Sequence, residues 1–135
     1  MTRDRRPFVD RPVGDTAAAA RLARHVAVAL NLPTPTLVRV GMNALFRSGD
    51  VIVRVGRPSA PGHLSLELVD ALLGVGVSVP APASPDVFEH DGLVATCWHV
   101  IGPVEQPVDW SIVGRLVRRV HELPLDVVPV GYPVP

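Results

Sequence analysis

Three short extended runs stand almost end to end near the middle of this chain. Thr36–Val40 is apolar and β-branched, Ala44–Arg47 resumes the extended pattern after Gly41-Met42-Asn43, and Val51–Val55 follows Ser48-Gly49-Asp50. Residues of these types favour strands, and Gly, Asn, Ser and Asp favour turns. Connections this short join antiparallel neighbours. The block therefore reads as an antiparallel meander, and the rest of the chain has to be arranged around it.

Before the meander, Leu22, Val26, Ala29 and Leu30 recur at helical spacing, with Arg21, Arg24 and His25 on other faces. Asp15 or Thr16 can cap that helix, and Pro33 ends it. After the loop 57–62, Leu64, Leu68 and Leu72, with Val69 and Leu73, give a second helix from about His63 to Leu73, with Glu67 and Asp70 facing away. Val87–His90 and Leu93–Val100 form a hairpin across Asp91-Gly92, a strong turn pair. A last helix starts near Asp109, with Val113, Leu116, Val117 and Val120 on one face, and stops at Pro124. The order predicts an α+β fold: a five-stranded antiparallel sheet with one helix inserted after the third strand, preceded and followed by a helix. It divides into a loose arm over 1–14, a lobe over 15–100, a linker and helix over 101–126, and a Val/Pro-rich tail over 127–135 with no partner in view.

Composition narrows the function. With 135 residues, 47% of them hydrophobic, the chain suits one domain with one core. The net charge is zero, which argues against a nucleic-acid binder relying on a basic field. All 13 basic residues are Arg, so any lysine-dependent chemistry falls to Arg or is not done. Cys97 is the single cysteine, which excludes an internal disulfide and leads us to expect a cytoplasmic protein. The charged N-terminus has no apolar region after it and does not read as a signal peptide. The apolar stretch from Ala71 to Ala83 is broken by Gly and Pro and is too short for a membrane span.

Five stretches, in this order, resemble the N-terminal lobe of the aminoglycoside phosphotransferase family, relatives of the protein kinases. They are Gly41-Met42-Asn43-Ala44-Leu45-Phe46-Arg47, Val51-Ile52-Val53-Arg54-Val55, Glu67 in its helix, the connector Val77-Ser78-Val79-Pro80-Ala81-Pro82, and the helix end Leu116 to Pro124. The likeness covers roughly residues 15–125. Val117 and Val120 stand where the family usually has Leu, and the turn at Gly41 is one residue tighter than is common there.

The resemblance implies a kinase-like nucleotide-binding lobe. Gly41 and Asn43 would shape a loop over the phosphates of ATP or GTP. By alternation Arg54 lies on the face opposite Val51, Val53 and Val55, and Ile52 shares its face. Arg54 would grip phosphate, Ile52 would pack on the base, and Glu67 would pair with Arg54. The backbone of Trp98, His99 and Val100 would meet the adenine edge. On the residues alone each has a plainer reading: a hairpin turn, a solvent-facing Arg, a solvated helix Glu with Asp70 one turn on, a strand end. Cys97 reads as a buried small hydrophobe. The five histidines show no metal-ligand spacing, and no Gly-x-Ser-x-Gly elbow is present.

The 135 residues contain no His-x-Asp-x-x-x-x-Asn run. The family's catalytic aspartate and metal ligands lie in its second lobe, so the expectation is an ATP-binding lobe inactive alone, with Mg2+ needed only beside that lobe. Its partners would be a nucleotide, a second lobe or another copy of itself, and neither nucleic acid nor membrane. The alternatives are a non-catalytic, degenerate kinase-lobe interaction module, or an unrelated α+β scaffold.

Overall fold

The computed structural model describes residues 11–58, 60–102 and 105–132. The first helix, α1 (Thr16–Ala29), starts where Asp15 accepts a hydrogen bond from the Ala18 amide at 3.0 Å. It ends in a Schellman closure: Asn31 takes a left-handed φ of 55°, its N–H reaches Val28 O, and the Leu32 N–H reaches Ala27 O. The repeat of Ala19, Leu22, Ala23 and Val26 makes one buried face.

Five strands follow the predicted order: β1 (Thr36–Val40), β2 (Ala44–Ser48), β3 (Val51–Gly56), β4 (Phe88–His90) and β5 (Leu93–His99). They form one antiparallel sheet in the spatial order β1-β2-β3-β5-β4. At the β4–β5 turn Asp91 and Gly92 both have positive φ, 50° and 74°, the pair a type I′ hairpin requires. Alternate residues on one face, Ala44 and Phe46, Val53 and Val55, Ala95 and Cys97, pack against α1. That interface is the core, and its small residues let the helix lie close to the sheet.

The arm expected over 1–14 is corrected over its described part. Val13 is 1% exposed and belongs to the core, and its N–H bonds Met42 O. Arg11 N–H bonds Arg57 O, and the Arg57 side chain returns a bond to Val13 O at 3.2 Å. Residues 1–10 lie outside the described residues.

The inserted helix, α2 (Gly62–Gly74), approaches the sheet's other face through its first turn. A Cβ on Gly62 would stand 2.7 Å from both Val87 and Val94, so the glycine allows the approach. The third helix, α3 (Trp110–His121), is capped by Asp109, whose carboxyl is held below its ordinary range by the Ser111 hydroxyl and then by backbone N–H groups. No residue of α3 is buried. Arg119 ties it to α2 by donating to Val75 O at 3.2 Å. The tail, for which the sequence showed no partner, finds one over its described part: a short 3-10 turn, Leu125–Val127, contacts α2, and Val127, Val128 and Pro129 are half-buried. Among the described residues no helix is long and apolar enough to cross a membrane.

Candidate functional site

Strand alternation leaves the sheet's second face to Leu45 on β2, Ile52 and Arg54 on β3, and Thr96 and Trp98 on β5. The register sets them side by side: Leu45 opposite Arg54, Arg54 opposite Thr96, Ile52 opposite Trp98. Trp98 Nε1 donates to Thr96 Oγ1 at 2.9 Å, which fixes the indole along the strand.

A groove of about 470 Å³ opens over this face, within the range of small-molecule sites. Its floor is Leu45, Ile52, Arg54 and Trp98. Val69 of α2 and Val79-Pro80 of the connector form its walls, and His99 and Ile101 line the rest. The connector is fastened to the edge of β5 by Ala83 N–H to Cys97 O and His99 N–H to Ala81 O. Among the described residues that line the groove, Arg54 is the permanent cation and none is a carboxylate.

Arg54 is oriented by a neighbour. With the Asn43 carboxamide turned so that both partners are satisfied, its oxygen accepts from Arg54 Nε at 3.2 Å and from Nη2 at 3.0 Å. Asn43 reaches that position because the β1–β2 turn is closed by Gly41 N–H to Asn43 O and supported by Val13 N–H to Met42 O.

Four residues marked from the sequence thus line one groove: Ile52, Arg54, Trp98 and His99. Asn43 joins them through Arg54. Glu67 does not. It lines a separate hollow of about 440 Å³ with Asp70, Pro82 and Ser84, and it makes no ion pair with Arg54. Helix geometry gives the reason. Val69 is the α2 residue turned to the groove, and a residue two positions away lies about 200° around the helix. Gly41 is absent from the lining, and a Cβ there would meet nothing within 4 Å, so no steric demand for glycine exists at that point. The N–H groups of His99 and Val100 are taken by Ala81 O and Asp50 O. Those two N–H groups are therefore engaged within the fold.

Cys97 lies on the opposite face, in the core, where burial and, less, the Asp86 charge push its thiol up to about 11. A further hollow between α1 and the β4–β5 hairpin holds His25, edge-on to Phe88 at 6.3 Å. Among the described residues no group of three or more His, Cys, Asp or Glu is placed to hold a metal ion.

Sequence reading missed Leu45, Val69, Val79, Pro80 and Ile101 as groove residues. Leu45 carried a usable signal, because it alternates with the core residue Phe46. Val69 carried none, since α2 is apolar on most of its circumference. Chemically, the arrangement is an apolar slot with a fixed guanidinium on its floor, suited to a flat apolar group joined to an anion. No protein-family model matches the chain, and no curated protein and no solved structure matches it either.

Proposed function

We propose that the groove binds a nucleotide, with ATP as the first candidate and GTP the second, and that the chain is the nucleotide-binding lobe of an ATP-dependent small-molecule phosphotransferase resembling the aminoglycoside phosphotransferases. The observation that carries this reading is the placing of Arg54 among Ile52, Trp98 and Leu45 on one open sheet face. A purine stacks on such apolar and indole surface, and a phosphate takes paired N–H donors from a guanidinium.

Phosphoryl transfer also needs a group to orient the acceptor hydroxyl and carboxylates to hold Mg2+. The described residues of the groove include no carboxylate, so they do not fit a metal ion, and no metal-dependent step is assigned to them. What they supply is grip and orientation: Arg54 holds charge, and Ile52 and Trp98 bury the base. Glu67 takes no part in this reading, because its hollow is a separate one.

Isothermal calorimetry with ATP, with and without Mg2+, is the direct test. Arg54→Ala should weaken binding by about 1.5–3 kcal/mol, the worth of a charge-assisted hydrogen bond, and the chain alone should show no phosphotransfer. Equal affinity of both proteins removes Arg54 from the site. The competing reading, a non-catalytic module that binds a protein partner, is favoured by one feature: the apolar face of α3 is uncovered, with Leu116 41% and Val117 49% exposed. Absence of any ATP binding would favour it.

A further inference from the structure

We propose that Asn43 is a positioning residue that aims Arg54 at the anionic end of the ligand while leaving its charge whole. The inference rests on the groove being the ligand site described above, and it concerns what sets that site's preference for an anion.

Arg54 is exposed, and a long side chain in water samples many rotamers. Asn43 restrains it at two nitrogens, Nε at 3.2 Å and Nη2 at 3.0 Å. An amide oxygen is a neutral acceptor. A carboxylate at the same place would hold the guanidinium as well, and would also offset its charge. Glu67 and Asp70, the carboxylates of the neighbouring helix, line the other hollow, and Arg54 makes no ion pair with either. The guanidinium keeps further N–H donors beyond those two, and the other members of the groove floor are Leu45, Ile52 and Trp98. The nearest polar neighbour across the register, Thr96, is engaged by Trp98 Nε1. Such a site selects a group carrying paired anionic oxygens, a phosphate or diphosphate, over a neutral ligand of the same shape.

Gly56 belongs to the same device. A Cβ on Gly56 would overlap the Asn43 amide, so a glycine at the end of β3 makes the space the amide fills.

The test measures inorganic pyrophosphate, adenosine and ADP binding to the full chain by calorimetry, for wild type, Asn43→Ala and Asn43→Asp. The expected order of pyrophosphate affinity is wild type, then Ala, then Asp. The Ala variant loses several-fold because Arg54 is untethered but still charged. The Asp variant loses about tenfold or more because the charge is compensated. Adenosine affinity stays level across all three. A purely structural role for Asn43 puts the Asp variant between wild type and Ala, since Asp keeps the contact, and that result overturns the proposal. So does a wild-type chain that binds no pyrophosphate. ADP binding that is strong but indifferent to Asn43 overturns this proposal and leaves the nucleotide reading standing. Pyrophosphate binding in the expected order, without adenosine or ADP binding, does the opposite. In case the variants fold poorly, the Arg54 Nε–H resonance of the unmodified chain is followed by NMR. It should exchange more slowly with solvent than the exposed Arg115 Nε–H and shift on pyrophosphate addition; a fast-exchanging, unshifted signal overturns the proposal as well.

Discussion

Gly56 and the Asn43 carboxamide compete for one volume: a Cβ on Gly56 would overlap the amide end and stand 3.2 Å from Cγ. The amide is the free end of a side chain, so it can swing away. Gly56→Ala should therefore fold with stability within about 1 kcal/mol of wild type, because gained backbone rigidity offsets mild crowding. Pyrophosphate affinity should nonetheless fall to the level of Asn43→Ala. Urea unfolding and calorimetry on the same sample separate the two effects, and a variant that binds as wild type does would detach Gly56 from the site.

Cys97 should behave as a protonated, inert core group. Its thiol is pushed from an ordinary value of 9.0 up to about 11, chiefly by burial. Iodoacetamide at pH 8 should label the native chain far more slowly than the urea-unfolded chain. The sign for stability follows from which state binds the proton. Below pH 9 both states keep it and the thiol contributes no slope. Between pH 9 and 11 the unfolded chain loses its proton first, so stability falls by roughly 1.4 kcal/mol per pH unit. A Cys97→Ala control should lack that component of the alkaline decline.

The α1 cap is a separable contribution. Asp15 accepts from Ala18 N–H at 3.0 Å at the start of the helix that covers the sheet. Asp15→Ala should cost about 1 kcal/mol, within the 0.5–2 kcal/mol usual for such caps, and Asp15→Ser should recover most of it. Because α1 carries Leu22 and Val26 into the core, the loss should appear in the global unfolding midpoint. If only local helix fraying is detected by amide exchange, α1 is less coupled to the sheet than its packing suggests.

The exposed face of α3 should make the chain associate. Ile112, Leu116, Val117 and Val120 are each more than 40% exposed on one amphipathic helix, and contiguous apolar surface of this kind recruits a partner or another copy. Sedimentation velocity should show self-association rising with concentration. Replacing Leu116 and Val120 together by Gln should return the chain to monomer with little loss of folding stability, since neither side chain is buried. Association unchanged by the double variant would locate the contact elsewhere, the open edge of β1 being the next place to look.

Periodicity and turn chemistry were enough to read most of the elements. Alternation fixed which residues of β3 face the core and put Ile52 and Arg54 together on the other side, because successive side chains on a strand must point oppositely. Asp15, Asp91-Gly92 and Asp109 announced their cap or turn locally, through hydrogen bonds and φ values that depend on two or three neighbouring residues. The groove was only half legible, since its walls come from segments far apart in sequence. Whether Glu67 or Val69 lines the groove with Arg54 depends on the rotation of α2 about its axis, which is a matter of tertiary packing, as is the close approach of Gly62 to Val87 and Val94. Val13 entering the core and the Leu125–Val127 turn docking on α2 are likewise long-range packing events with no local pattern. The sequence by itself determined the strands, their alternation and the helix caps, because those rest on near-neighbour sterics and hydrogen bonds. Tertiary structure alone decided that Asn43 rather than an acid would hold Arg54, because that contact is made by the β1–β2 turn folding over Gly56 on the neighbouring strand.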